Sequence, residues 1–103
     1  MRTPIKARAR ADLLAIRAWG EDHWGAARTR DFLESLVETI ERLSEFPLMG
    51  RPRSVFFDGL RSIRHRGYVV FYILEADRPV VVAVIQERRN LAALDFAERV
   101  EGA

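Results

Sequence analysis

Basic side chains gather at both ends of one apolar stretch in the second half of the chain. They are Arg61, Arg64, His65 and Arg66 before this stretch, and Arg88 and Arg89 after it. If the stretch folds back on itself, its two ends meet and the side chains form one basic patch. A planar guanidinium suits a phosphate or a carboxylate, so Arg61 and Arg89 are the first candidates for anion binding. The alternative is that either one forms an internal ion pair with Glu87 or Asp95.

Acid–base chemistry has few candidates in this region. His65 could serve as a general base at a phosphate, because neighbouring arginines disfavour its cationic form. The alternative is a surface strand residue, since no carboxylate is placed to orient the ring. Tyr68 and Tyr72 share strand parity, so both rings lie on one sheet face. There they either stack on bases, or pack in the core or against a partner protein. Arg64, Arg66 and Arg88 either take part in the basic patch or are solvated residues at the ends of strands.

Composition excludes several classes of site. The 103 residues contain no Cys and only two isolated His, and no Gly-rich phosphate loop is present. These features argue against disulfides, thiolate chemistry, a zinc site and a nucleotide-binding loop. We therefore expect no metal and no cofactor. Seventeen basic against fifteen acidic side chains give a net charge of +2, too little for bulk attraction to nucleic acid.

Two apolar runs predict the sheet that positions the patch. Tyr68–Leu74 and Val80–Ile85 are each continuous, and the polar residues 75–78 separate them. Runs of this length, rich in β-branched and aromatic residues, are typical of strands, and the short break predicts a hairpin. Because polar residues do not alternate with apolar ones, both faces of the hairpin must be covered.

The remaining elements follow from periodicity and from breaks in it. Apolar spacing of three and four predicts helices from Ala7 to Trp24 and from Ala26 to Ser44, with Gly25 as the break. Residues 2–6 are expected to form an edge strand, because Pro4 is tolerated at edges. Residues 45–59 are a loop whose apolar side chains either tuck beneath the helices or await a partner. Residues 90–100 predict a short helix with Asn90 as its N-cap.

These elements assemble into a single α+β domain spanning residues 1–103. The expected fold is a two-layer sandwich: an N-terminal edge strand, an antiparallel two-helix hairpin packed on one face of an antiparallel sheet, and a short C-terminal helix. Two helices joined by a tight turn cover the same face, which leaves the other face to the tail alone. An incompletely covered apolar face predicts a protein partner, and Leu94 and Phe96 in the tail would lie near it. Trp19 and Trp24 are expected to pack in the core.

Short motifs in this order resemble the ParE branch of the RelE/ParE superfamily of bacterial toxins. The motifs are Ala9-x-x-Asp12-Leu13-x-x-Ile16, Trp24-Gly25, Pro47-x-x-Gly50-Arg51, Leu60-Arg61, Tyr68-x-x-Phe71-Tyr72 and Arg89-Asn90. The resemblance implies the toxin of a type II toxin–antitoxin module, a non-catalytic inhibitor of DNA gyrase that a ParD-like antitoxin neutralises by direct binding. The antitoxin would supply operator binding, so this chain alone would not bind DNA sequence-specifically.

The residues expected to carry this binding come from the basic patch, the sheet face and the C-terminal segment. Those expected to bind the target or the antitoxin are Arg61, Arg64, Tyr68, Tyr72, Gln86, Arg88, Arg89, Leu94 and Phe96. The alternative function is a RelE-type ribosome-dependent mRNA endonuclease, in which Arg61 and Arg89 bind the phosphate and His65 or Tyr68 transfers protons. Many family members carry His where this chain has Gln86, and an amide has no useful pKa for proton transfer. Gln86 therefore favours the non-catalytic interpretation. A third possibility is a decayed toxin that survives as a binding module.

Targeting signals are not visible in the sequence. The N-terminus has no apolar signal-peptide core, and no stretch reaches about eighteen apolar residues. The expectation is a cytoplasmic protein that does not enter a membrane.

Overall fold

Two long helices form the first layer of the fold. The computed structural model describes residues 3–102, and its first helices are α1, Ala7–His23, and α2, Ala26–Glu45. Gly25 lies between them with φ of 87°, a backbone conformation that ends one helix and redirects the chain into the next. The predicted helical hairpin is confirmed to within a residue at each end.

A four-stranded antiparallel sheet forms the second layer. Its strands are β1, Arg51–Pro52, β2, Arg61–His65, β3, Tyr68–Glu75, and β4, Arg78–Gln86, and they lie in that order across the sheet. The predicted N-terminal edge strand is reduced to one parallel bridge between Ile5 and Val81. Two 2.9 Å hydrogen bonds hold this bridge, from Lys6 N to Val81 O and from Val81 N to Pro4 O. Arg2 lies outside the described residues.

The C-terminal segment is less regular than predicted. A 3-10 turn, Leu91–Ala93, precedes a separate helix α3, Phe96–Glu101. Asn90 caps the first piece, as expected, because its side chain accepts a hydrogen bond from Ala92 N. Asp95 caps the second piece by accepting from Glu98 N at 3.0 Å. Each cap begins a new turn of chain, so the predicted single helix over 90–100 is divided in two. No helix among residues 3–102 has the length and apolar character needed to cross a membrane.

A β-bulge in β4 changes which side chains face each layer. Phe71 pairs with Ala83 while the next residue, Tyr72, pairs with Val81, so Val82 is an extra residue in β4. Both Val82 and Ala83 therefore belong to the cluster on the face away from the helices. A bulge of this kind reverses the strand's alternation beyond it, which turns Val84 back toward the helices.

The face away from the helices is covered by the chain itself, which corrects the prediction of an open apolar sheet. The residues that cover it come from the loop before β2 and from the tail: Phe56, Phe57, Leu91, Leu94, Phe96 and Val100. The surplus of apolar sheet surface is thus buried within the chain and supplies no physical reason for a partner. The predicted tail contact holds, and two of the loop's aromatic rings tuck inward.

Exposed apolar surface lies elsewhere on the molecule. Phe46, Leu48 and Met49 are 59%, 65% and 44% exposed in the loop after α2. Trp19 is 43% exposed and stacks on His23 at 4.0 Å between ring centroids, so the prediction that it packs in the core is wrong. Trp24 does pack against the core, edge-on to Phe32.

Candidate functional site

Tyr72 fixes the loop that follows α2. Its hydroxyl donates to Pro47 O and accepts from Gly50 N, both at 2.8 Å. A Cβ atom at Gly50 would lie only 2.6 Å from the Tyr72 ring and hydroxyl, so glycine is required for this close approach. Tyr72 is completely buried, and burial raises its pKa. It therefore does not touch a partner in this fold, contrary to the prediction.

Arg61 holds the same loop from the other side. Its Nη1 donates to Leu48 O at 3.3 Å and to Gly50 O at 2.5 Å. The guanidinium thus serves carbonyl groups of its own chain, and the ion pair with Glu87, which was the alternative for Arg61, is made by Arg64 instead, at 2.8 Å. Tyr72 and Arg61 together hold Phe46, Leu48 and Met49 outward as a fixed projection, here named the apolar loop.

His65 faces α2 rather than solvent. Its Nε2 lies 2.8 Å from Ser35 Oγ and its Nδ1 lies 3.0 Å from Thr39 Oγ1. Burial lowers its pKa, with further lowering from the positive charges of Arg66 and Arg42. Both ring nitrogens are occupied by hydroxyl groups of α2, so His65 is neither a surface strand residue nor a free general base. It connects β2 to the helical layer.

Tyr68 also faces the helices, on the same side of the sheet as Tyr72. Its ring packs at 5.4 Å from Phe32, and burial raises its pKa. Both tyrosines belong to the helix-facing core, so they do not form a stacking platform for bases. The edge of Tyr68 reaches a groove of about 280 Å³ between α1 and the end of β4, which Trp19, Gln86 and Arg89 also line. We name it the exit groove.

The exit groove brings together three of the predicted site residues, Tyr68, Gln86 and Arg89. Gln86 and Arg89 are exposed, and the Arg89 backbone N–H donates to Gln86 O at 3.0 Å, which closes the turn after β4. Arg88 projects from the same turn. The groove can bind an anion or a hydrogen-bonding group through a guanidinium and an amide. Neither of these is an effective proton donor or acceptor near neutral pH.

A second groove, of about 520 Å³, lies on the face away from the helices. Arg51, Arg53, Arg64 and Ser62 line it together with Met49, Val69 and Leu91; we name it the arginine groove. Arg53 Nη1 donates to Ser62 Oγ at 3.1 Å, and its guanidinium lies over the rings of Phe56 and Phe71 at 4.9 and 5.6 Å. Burial and the charges of Arg51 and Arg64 lower the pKa of Arg53.

Sequence reasoning singled out only Arg64 among these three arginines. The available signal was the Arg51-Pro52-Arg53 spacing, since residues two apart in an extended segment project to the same side. Of the two tail residues predicted to contact a partner, Leu94 is half-buried. Phe96 is 3% exposed and packs edge-on to Phe71 at 5.0 Å. Phe96 is therefore a core residue, which corrects its assignment as a contact residue.

A buried ion pair, which the sequence did not indicate, joins α1 to α3. Arg99 Nη1 and Nη2 lie 2.8 and 3.2 Å from the two carboxylate oxygens of Asp12. Arg99 also donates to Val82 O at 3.1 Å, and Asp12 accepts from Val84 N at 3.0 Å. The pair thus satisfies one backbone group at the bulge and one just beyond it, along the outer edge of β4. An edge covered in this way does not pair with other strands.

The arrangement as a whole is suited to binding rather than to proton transfer. His65, Tyr68 and Tyr72, the acid–base candidates, are engaged by or packed within the domain. The accessible functional groups in the two grooves are guanidinium and amide groups, together with the Glu87 carboxylate that pairs with Arg64. Across residues 3–102 no group of three His, Cys, Asp or Glu side chains is placed to hold a metal ion.

Comparisons with known proteins agree with this description. The family model described as "ParE toxin of type II toxin-antitoxin system, parDE" matches residues 5–91. Toxin ParE1 of Caulobacter vibrioides is 33% identical over 89 residues, covering 86% of this chain and 92% of the relative. Toxin ParE of Escherichia coli is 33% identical over 99 residues, covering 95% of each chain.

The fold is similar to that of a solved structure. It is described as the chromosomal ParDE TA system from P. aeruginosa, and it superposes with a TM-score of 0.71 over 84% of this chain and 95% of its own, at 17% identity. This likeness confirms the predicted α+β architecture. Together with the family match and the two toxin relatives, which cover nearly the whole chain, it leads to one conclusion: the chain belongs to the ParE toxin family of type II toxin–antitoxin systems.

Proposed function

We propose that this chain is a non-catalytic toxin that inhibits DNA gyrase and is neutralised by a ParD-like antitoxin. The observation that carries the non-catalytic part is the engagement of His65 by two α2 hydroxyls, at 2.8 and 3.0 Å. With the imidazole engaged, the exposed arginines can bind an anion but do not themselves activate a nucleophile, and the Glu87 carboxylate nearby is paired with Arg64. Inhibition by binding is the mode of action that such a surface supports. It needs no cofactor or metal.

The exit groove and the turn after β4 are the proposed target surface. Gln86, Arg88 and Arg89 are exposed there, and guanidinium groups suit either the carboxylates of a protein or the phosphates of DNA held in a protein complex. Gyrase acts on chromosomal DNA, so the proposed site of action is the cytoplasm. Operator binding is assigned to the antitoxin.

A supercoiling assay with purified toxin tests this function. The folded chain at micromolar concentration is expected to reduce supercoiling by gyrase, and Arg89→Gln is expected to weaken the inhibition. Arg78→Gln is the matched control, because Arg78 is also exposed but lies at the opposite end of β4 from the exit groove. No inhibition by a chain shown to be folded would refute gyrase as the target.

Primer extension on translated mRNA tests the alternative, a ribosome-dependent endonuclease. We expect no cleavage with codon periodicity. Such cuts, lost in His65→Gln, would overturn the non-catalytic assignment. Expression without an antitoxin is expected to arrest growth, and normal growth with folded protein would point to a decayed toxin.

A further inference from the structure

The apolar loop exposes three large apolar side chains next to one another at the end of α2. Phe46, Leu48 and Met49 are 59%, 65% and 44% exposed, and they line one common surface together with the half-buried Pro47. Exposed apolar side chains that are gathered in this way mark an interaction site. The hydrogen bonds from Tyr72 and Arg61 hold this surface in place, so it is a fixed feature of the fold.

The backbone of the apolar loop is largely satisfied by partners inside the chain. The bonded groups are the N–H groups of Phe46, Met49 and Gly50 and the carbonyl groups of Phe46, Pro47, Leu48 and Gly50. Pro47 has no N–H to satisfy, and only Leu48 N and Met49 O take no part in these bonds. Unbonded backbone groups are costly in lipid, which keeps most loops out of it. This loop avoids that cost over most of its length.

Cations surround the apolar loop where it joins the rest of the domain. Arg42 lies one helical turn before Phe46, Arg51 follows the loop, and both are exposed. Arg61 donates to the loop's own carbonyls. Glu45 is the acidic residue among those that line the apolar surface. An apolar projection with a basic rim matches the interface of a bilayer, where anionic headgroups lie above apolar acyl chains.

We propose that the apolar loop docks on the surface of an anionic lipid bilayer. Phe46, Leu48 and Met49 enter the boundary between headgroups and acyl chains, while Arg42 and Arg51 contact the headgroup phosphates. The contact is peripheral and needs no membrane-spanning helix. It departs from the expectation that the chain does not enter a membrane, because that expectation rested on spanning segments and signal peptides alone.

The docked loop and the exit groove lie at opposite ends of the sheet. Tyr72, which holds the loop, pairs with Arg61 at the start of β2, whereas Tyr68, at the exit groove, pairs with His65 at its end. A chain docked through the loop therefore keeps the proposed target surface away from the lipid. The lipid contact does not rest on the proposed function.

A second copy of the chain is a poorer occupant of this surface. Two apolar loops packed face to face would bring Arg42 and Arg51 of both copies together. Like charges brought together at an interface are unfavourable. An anionic bilayer instead places negative charge around the whole rim, so the charge pattern favours lipid.

Sedimentation of the full chain with lipid vesicles tests the proposal. Vesicles of phosphatidylcholine mixed with phosphatidylglycerol are compared with vesicles of phosphatidylcholine alone. We expect the chain to bind the anionic vesicles more tightly, with affinity that falls as sodium chloride is added. Absence of binding to the anionic vesicles by the folded chain, or equal binding to both kinds, would overturn the proposal.

A substitution in the loop tests the apolar part of the contact. Leu48→Gln is expected to weaken vesicle binding about tenfold, because the exposed part of the leucine side chain would leave water on docking. Leu14→Gln is the matched control, since Leu14 is 59% exposed but lies within α1, outside the apolar loop. Circular dichroism with a thermal melt verifies the fold of both. Unchanged binding by folded Leu48→Gln, or an equal loss in Leu14→Gln, would contradict the assignment.

Substitutions of charged residues test the basic rim. Arg51→Gln is expected to weaken binding to anionic vesicles about fivefold, the value of one cation near a charged surface. Arg66→Gln is the control and should change binding less, because Arg66 follows the far end of β2 from the loop. Glu45→Gln should tighten binding, since it removes a carboxylate beside the headgroups. Equal losses in the two arginine variants, or weaker binding by Glu45→Gln, would show that the loop is not the docking site.

A fluorophore in the loop measures insertion directly. Leu48→Trp places an indole on the apolar loop, and phosphatidylcholine brominated on its acyl chains, mixed with phosphatidylglycerol, should quench its fluorescence. Leu14→Trp should show no more quenching than the unchanged chain, whose Trp19 and Trp24 lie outside the loop. If Leu48→Trp gains no quenching in bound protein, the loop remains outside the acyl layer and the proposal is wrong.

Sedimentation velocity without lipid tests the competing occupant. The sedimentation coefficient is expected to be the same for the unchanged chain and for Leu48→Gln. A dimer that Leu48→Gln dissociates would assign the apolar loop to a second copy and overturn the lipid contact. Because vesicle binding is measured without gyrase, a failure of the lipid contact leaves the proposed function standing, and a failure of gyrase inhibition leaves the lipid contact standing.

Discussion

The ion pair between Asp12 and Arg99 gives the sharpest test of how this domain is held together. Arg99→Met removes the guanidinium but keeps much of the apolar stem. The side chains of Arg99 and Asp12 are 5% and 15% exposed, so the remaining carboxylate stays largely out of water. Val82 O also loses its side-chain donor. The substitution therefore leaves a charge and a carbonyl without these partners in a buried place.

The expected cost is large relative to the stability of a small domain. Breaking a buried pair by removing one partner costs about 3–5 kcal/mol. Domains of this size have unfolding free energies of about 5–15 kcal/mol. Arg99→Met should consequently lower the unfolding free energy by about 3–5 kcal/mol, which would leave the least stable case close to unfolding. Loss of the docked tail would also uncover the sheet face beneath Phe96.

Arg8→Met is a matched control, because Arg8 and Glu98 join the same two helices through an exposed pair, with side chains 49% and 60% exposed. Its expected cost is within about 1 kcal/mol. Urea unfolding followed by tryptophan fluorescence and circular dichroism measures both variants. A cost for Arg99→Met no greater than that of Arg8→Met would refute the inference that the buried pair anchors the tail.

A double variant separates the interaction from its parts. Asp12→Leu combined with Arg99→Met removes both charges, and its loss should be smaller than the sum of the two single losses by about 1–3 kcal/mol. It should not fall to zero, because Val84 N and Val82 O then lack their side-chain partners, at about 1–3 kcal/mol each. Additive losses would show that the two side chains act independently.

Three further predictions concern other parts of the fold. The unfolding free energy should fall as pH drops below about 6.5, because the pKa of His65 is lower in the folded protein than in the unfolded chain and the unfolded state then binds more protons. Urea unfolding measured at several pH values should show a weaker dependence of the unfolding free energy on pH in His65→Gln. Ala76 has φ of 51° in the turn between β3 and β4, a backbone conformation that glycine adopts at lower cost than alanine. Ala76→Gly should therefore raise the unfolding free energy by about 0.5–1 kcal/mol, whereas Ala11→Gly within α1 should lower it by about 1 kcal/mol. Gly50→Ala should lower the unfolding free energy by about 1–3 kcal/mol, because its Cβ would lie 2.6 Å from the Tyr72 ring. The melting temperature should therefore fall, and an unchanged melting temperature would contradict the close approach.

Local pattern in the sequence determined the two long helices and the central hairpin, in their order along the chain. The spacing of apolar residues predicted both helices, and the apolar runs around residues 75–78 predicted the hairpin of β3 and β4. These signals are local, because helix and strand periodicities repeat within a few residues. The motifs that carry the resemblance are local as well, and they led to the family that the comparisons confirm. Of the candidate site, the sequence indicated the basic patch and the residues that meet at the exit groove.

Only the tertiary structure decided what those side chains do. Asp12 and Arg99 are 87 positions apart in the chain, and no local pattern links residues so distant. The bulge at Val82 resets the alternation of β4, so counting by twos along the sequence cannot tell which face is covered. The loop and the tail cover the sheet face that the sequence left open. Tyr72 and Arg61 could serve a partner or their own chain, and the fold commits them to the chain because it places the carbonyls of residues 47–50 within their reach.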